Sequence, residues 1–201
     1  MSDATDRFFA EYISRYLSGN RAAAIIKSAL DDAGVELMPF IDHCALRTHD
    51  VDKRAEQVVE LGFVHDDSIG ILEFDNWWAK VYRKEGYPAL FIDQAYSSER
   101  GKNSLIPQWV DTHGDQGFHH FAIRVEDIEG AIEKMKRKGV EFAGEIVGDR
   151  GTDLRQIFTR PEVLNGKVFS VLELIERRNG YTGFLPPQAD GLMESTRDTS
   201  G

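Results

Sequence analysis

The feature that most constrains this chain is an internal repeat. Residues 117–142, GFHHFAIRVEDIEGAIEKMKRKGVEF, read as strand, turn, helix and the start of a further strand. FHHFAIRV is aromatic and β-branched, as strands prefer. Asp127 stands where a helix N-cap belongs, Ile128, Ile132 and Met135 follow at helical spacing, and Gly139 supplies the stop. Residues 42–63, DHCALRTHDVDKRAEQVVELGF, follow the same pattern without a gap. His43 overlies His120, Ala45 overlies Ala122, Arg47 overlies Arg124, Asp50 overlies Asp127 and Gly62 overlies Gly139, each pair 77 positions apart. Two copies are too few for a solenoid. They predict a duplicated βα unit within one domain, with an equivalent histidine near the start of each copy.

The flanking sequence extends each unit. After Gly62 come three strand-like runs, 69–74, 78–84 and 89–94, separated by turn residues. After Gly139 come 140–147, 154–160 and 168–176. Each copy is therefore expected to be βαβββ, in an α+β fold within a single domain spanning 1–201. Residues 1–36 carry two helices, with Phe8, Phe9, Tyr12, Ile13 and Tyr16 on one face of the first and Asn20 capping the second. The modules are expected at 37–96 and 117–185. Residues 97–116 form a linker long enough to be a candidate functional loop. Residues 186–201, rich in polar residues, glycine and proline, are expected to be a disordered tail.

Composition narrows the function. Thirty-four acidic residues against 24 basic ones give a formal net charge of −10. That argues against nucleic acid and against an anionic membrane surface as partners. The basic run KMKRK at 134–138 lies on a predicted helix and reads as its solvated face. A single cysteine, Cys44, excludes an internal disulfide and a cysteine-rich zinc site. No apolar run is long enough for a membrane span, and the N-terminus lacks a signal-like apolar core, so a cytoplasmic location is expected.

Strand alternation selects the side chains that converge. His43, Ala45 and Arg47 share one face of the first repeat strand, and His120, Ala122 and Arg124 share the equivalent face of the second. Two equivalent strands meeting near a pseudo-twofold axis would bring His43 and His120 together. Glu173 is acidic within the apolar run VFSVLELIE, where a buried carboxylate is costly unless paired or metal-bound. Two histidines and one carboxylate make the three-ligand set of non-haem Fe(II) oxygenases. His119 competes with His120, and the repeat register favours His120. Cys44 points to the opposite face and reads as a buried, inert thiol. Trp77, Trp78 and Trp109 could line a pocket, with core packing the favoured reading.

A βαβββ repeat with a metal ligand on the first strand of each copy resembles the vicinal oxygen chelate superfamily. GFHHFAIRVEDI, LRQIFTRP and VFSVLELIERRNGYTGF are similar to the catalytic half of 4-hydroxyphenylpyruvate dioxygenases. That resemblance implies His120 and Glu173 as iron ligands, Gln156 at a substrate-contacting position and Phe184 in a lid. FFAEYISRYL followed by DHCALRT resembles the iron-dependent 2-oxoadipate dioxygenase/decarboxylase family. It implies His43 as the remaining ligand and Arg47 as a clamp for a substrate carboxylate. The implied activity is Fe(II)-dependent oxidative decarboxylation of a 2-oxo acid with hydroxylation, and the implied partners are that acid and O2, with homodimerisation left open. The alternative is a non-redox lyase, isomerase or epimerase of the glyoxalase type using another divalent metal. Such enzymes often add a carboxylate from the last strand of the first copy, where Asp93 is the candidate. A metal-free binding protein of the same fold is a third reading.

Overall fold

The computed structural model describes residues 3–196. The leading segment forms α1 (Ala4–Gly19) and α2 (Arg21–Asp32), as its periodicity predicts. α1 buries Phe8, Phe9, Tyr12 and Tyr16. Asn20 caps α2 by accepting from the Ala23 N–H at 2.9 Å, while its amide donates to Ser170 Oγ at 3.0 Å. One residue thus starts a helix and ties it to the far half of the chain.

The first module runs through β1 (Ile41–Arg47), α3 (Val51–Glu60), β2 (Val64–His65), β3 (Ile71–Glu73), β4 (Trp77–Arg83) and β5 (Ala89–Ala95). After α4 (Ile106–His113), the second runs through β6 (His120–Arg124), α5 (Ile128–Arg137), β7 (Phe142–Val147), β8 (Leu154–Thr159), β9 (Glu162–Leu164), β10 (Lys167–Ser170) and β11 (Glu173–Arg177), followed by α6 (Pro186–Ser195). The repeat is exact in its local chemistry. Asp50 and Asp127 each accept from the backbone N–H three residues on, at 3.0 Å, at the starts of α3 and α5. Gly62 and Gly139 each follow those helices with φ of 88° and 79°, a left-handed conformation that a Cβ disfavours.

The main sheet has the order β2-β4-β5-β1-β6-β11-β8-β7, with β3 also on β4. Its two halves mirror each other about the β1–β6 pair. β1 runs antiparallel to β6, with His43 opposite Ala122 and Ala45 opposite His120. Those four positions are repeat equivalents, so a pseudo-twofold axis passes between the strands. β5 lies parallel to β1 on one side, and β11 lies parallel to β6 on the other. Alternation then divides the faces. Cys44, Leu46, Phe121 and Ile123 enter the helix-side core with Tyr16, Val58 and Ile128. Ala45 joins Trp77 and Phe91 in a second cluster on the opposite side.

Three expectations are corrected. The 97–116 linker contains α4, whose Ile106, Trp109 and Val110 are buried at i, i+3, i+4 spacing. The tail expected to be disordered over 186–201 forms α6 instead. Pro186 and Pro187 suit a helix start, and Leu192 is buried beside Phe158 and Val171; residues 197–201 lie outside the described residues. The strand expected over 168–176 is split. Asn165 and Gly166, with φ of 53° and 74°, close a β9–β10 hairpin, and the chain rejoins the main sheet only at Glu173. Among the described residues no helix is long and apolar enough to cross a membrane.

Candidate metal centre

Glu173 opens β11 opposite Ala122 of β6, one strand from the central pair. That register carries its carboxylate to both histidines. Glu173 Oε2 lies 3.3 Å from His43 Nε2 and 3.3 Å from His120 Nε2. The three donor atoms lie within 4.8 Å of one another and could hold a metal ion. Each is oriented from behind. Gln156 Nε2 donates to Glu173 Oε1 at 2.6 Å, which leaves Oε2 facing the imidazoles. His43 Nδ1 meets Asp42 Oδ1 at 2.9 Å, and His120 Nδ1 meets His119 Nδ1 at 2.9 Å. Both Nε2 atoms are thereby turned toward the shared carboxylate, the arrangement in which a supporting partner fixes a metal-binding imidazole.

The electrostatics suit a cation. Burial pushes the Glu173 carboxyl up, yet His43 and His120 outweigh it and hold it at about 2. Burial pushes the His43 imidazole down, but Glu173 and Asp42 raise it to about 9. His120 moves the other way, lowered by burial that Glu173 offsets only in part. The residues alone thus hold a carboxylate beside one imidazolium, and a divalent ion would take the place of that proton. Two imidazoles and a carboxylate fit first-row divalent metals.

The mirror symmetry also shows what is missing from the first module. Phe91 of β5 pairs with Ala45 as Glu173 of β11 pairs with Ala122. The place equivalent to Glu173 is therefore a phenyl ring. Asp93 lies two residues further on, opposite Arg47, and is outside the three-residue cluster.

Arg47 sits at one end of a cavity it shares with His43, Phe91, Asp93, Phe184 and Met193. The residue is 3% exposed, and its guanidinium donates to Met193 Sδ at 3.1 Å and lies 5.7 Å from the Trp109 ring. Arg47 Nε and Asp93 Oδ1 are both buried without a hydrogen-bond partner. Burial pushes the Asp93 carboxyl up to about 7, and Arg47 counters this only in part. The repeat-equivalent Arg124 is exposed and lines a separate open cleft. The two arginines differ because α4 and α6 roof only the Arg47 end. The cavity's free volume is about 40 Å³, room for only a few water molecules at about 10–15 Å³ each.

Four further residues shape the site. Strict alternation would put His119 on the face opposite His120, but it precedes the β6 ladder; it lines the cavity and packs edge-on to Trp109 at 5.6 Å. Trp77 packs in the cluster with Phe74 and Phe91, as favoured, and lines the cavity as well, the alternative left open for it. Met193 comes from α6, the helix that stands where a disordered tail is expected. Asp42 was recoverable: Asp42 and His119 are themselves repeat equivalents, and each engages the Nδ1 of the histidine that follows it.

The profile of the Glyoxalase/Bleomycin resistance protein/Dioxygenase superfamily matches residues 40–164, and the chain belongs to that superfamily. It is similar to 4-hydroxyphenylpyruvate dioxygenase of Sus scrofa, 44% identical over 41 residues, or 20% of this chain and 10% of that protein. Its fold resembles a variant of 4-hydroxymandelate synthase from Streptomyces coelicolor, with a TM-score of 0.61 and 20% identity over 80% of this chain and 54% of that one. It also resembles methylmalonyl-CoA epimerase from Mycobacterium tuberculosis, with a TM-score of 0.50 and 21% identity over 71% and 90% of the two chains. The chain spans between about a tenth and a fifth of the curated relatives it matches.

Proposed function

We propose that this protein is an Fe(II)-dependent dioxygenase acting on a 2-oxo acid, of the kind represented by 2-oxoadipate and 4-hydroxyphenylpyruvate dioxygenases. One observation carries the reading. His43, His120 and Glu173 converge as a three-donor set, while the mirror position that would supply a fourth ligand, a second carboxylate, is Phe91. Three protein ligands leave room for a chelating 2-oxo acid and O2. A glyoxalase-type site with a carboxylate from each module lacks that residue here. Iron held there would supply oxidative decarboxylation of the 2-oxo acid and hydroxylation of the remaining fragment.

The chain's own residues do the rest. Gln156 fixes the Glu173 carboxylate and presents its amide to the cavity, where it contacts the substrate. Arg47 offers an incompletely satisfied planar cation to a second carboxylate at the far end of the substrate. Phe184 lies edge-on to His43, with centroids 5.1 Å apart, and closes the site against water. The test is O2 consumption by Fe(II)-loaded protein against a panel of 2-oxo acids. Uptake that depends on one 2-oxo acid supports the proposal. Metal-dependent exchange of an α-proton without O2 uptake would assign the protein to the isomerase type instead.

Two further results are expected. The cavity is too small for a 2-oxo acid of several carbons, so α6 and the segment before it must move to admit one. Truncation after Arg178 should leave O2 uptake running ahead of product formation, as measured by an oxygen electrode and chromatography together; unchanged coupling would count against a lid. The second concerns pH. Asp93 is neutral below about pH 7 and anionic above it. Once anionic, it cancels the charge of Arg47 and repels an incoming carboxylate. KM for a 2-oxo diacid should therefore rise as pH increases through 7, and Asp93→Asn should flatten that rise.

A further inference from the structure

Asp42 and Arg177 form a second constellation, on the opposite side of His43 from Glu173. Arg177 Nε donates to Asp42 Oδ2 at 2.8 Å and Nη2 donates to Oδ1 at 2.9 Å, a two-pronged pair with both side chains nearly buried. Asp42 Oδ1 in turn holds the Nδ1–H of His43 at 2.9 Å. The remaining arm of the same guanidinium, Nη1, donates to the Gly183 carbonyl at 2.7 Å. The guanidinium also lies 5.1 Å from the Phe184 ring, and that ring lies against His43. The contacts close a ring: His43, Asp42, Arg177, Gly183, Phe184 and back to His43. Arg83 adds a second hold on the same segment, donating to the Thr182 carbonyl at 2.8 Å.

We infer that Arg177 is a positioning residue that couples closure of the 178–184 segment to the metal-binding orientation of His43. The inference rests on the metal site proposed above. Its physical basis is the rigid guanidinium plane. One fork cannot satisfy both Asp42 oxygens and the Gly183 carbonyl unless the segment is down. When the segment lifts, Arg177 loses an acceptor and an aromatic face, its grip on Asp42 loosens, and Asp42 no longer fixes the Nδ1–H of His43. Coupling of this kind is reciprocal, so metal binding should in turn hold the segment closed. Asp42 explains why this falls on the first-module histidine. His120 is backed by His119, which packs on Trp109 of α4.

The test uses the full chain and Mn(II) alone. Calorimetry reads the affinity, and amide hydrogen exchange of residues 178–184 reads closure. In the natural protein, Mn(II) should slow exchange across 178–184. Arg177→Gln should weaken Mn(II) binding by about 10–100-fold, the range for removing a supporting partner, and exchange of the segment should no longer respond to Mn(II). Arg177→Lys keeps the charge but cannot span all three acceptors. It should recover part of the affinity and none of the response, which separates coupling from mere loss of a folded protein. An Arg177→Lys protein that binds Mn(II) as tightly as the natural one, or whose segment still closes on binding, would overturn the inference while leaving the metal site standing. Absence of Mn(II) binding by the natural protein would overturn both.

Discussion

Glu173→Ala is expected to abolish tight metal binding while leaving the fold in place. Glu173 is the one carboxylate that both imidazoles face, with Oε2 3.3 Å from each Nε2. Removing a direct donor should cost more than the 10–100-fold typical of a supporting partner. The fold should survive because the sheet does not need the side chain. Glu173 is held by β-ladder pairing on both sides, to Ala122 and to Phe158. Breaking a buried charge pair ordinarily costs about 3–5 kcal/mol because a charge is left stranded. Here the stranded charge has an escape, since His43 owes its raised pKa first among its upward influences to Glu173 and can shed its proton. Circular dichroism and iron stoichiometry decide the matter together. A folded variant with full iron occupancy would remove Glu173 from the ligand set.

Arg47→Ala should lower kcat/KM for a 2-oxo diacid by about 2–5 kcal/mol, between roughly thirtyfold and a few thousandfold, as for truncating one partner of a desolvated charge pair. Beyond facing the Asp93 carboxyl, this arginine has little else to do in the fold. Its guanidinium meets a thioether at 3.1 Å and an indole face at 5.7 Å, and its Nε has no hydrogen-bond partner. A substrate carboxylate would replace the Met193 sulfur with a far better acceptor. Metal content should stay normal, and a 2-oxo acid lacking the second carboxylate should be much less affected. Arg124→Ala is the matched control, because Arg124 has the same place in the repeat but faces an open cleft. Equal losses on both substrates, or loss of metal, would make Arg47 a structural residue.

The centre of the fold was legible because its signals are local and doubled. The caps at Asp50 and Asp127, the glycine stops and the alternation around His43 and His120 each occur twice at one spacing, and chance does not maintain such a register. Pairing of β1 with β6 follows almost directly from that symmetry. The roof was not legible. α6 is short and only weakly amphipathic, and it is held by Leu192 packing on distant residues rather than by its own propensity. α4 did carry a helical signal in Ile106, Trp109 and Val110, but it lay inside a stretch dominated by loop residues. The role of Phe91 is a different case. Parity along β5 makes Ala89, Phe91 and Asp93 equivalent candidates, and only the pairing with Ala45 identifies which one mirrors Glu173. That register is a property of two strands and cannot be read from one.

The central claim is that a 2-oxo acid and O2 react together at His43, His120 and Glu173. Turnover under 18O2, with mass spectrometry of the products, tests it most directly. The expected result is release of one CO2 per O2 consumed, with both labelled atoms in the remaining product, one in the newly formed carboxylate and one in a hydroxyl. Loss of all label incorporation should accompany Glu173→Ala. Metal-dependent conversion of the substrate with no 18O in any product would contradict the account and leave the same three side chains holding the metal of a non-redox enzyme.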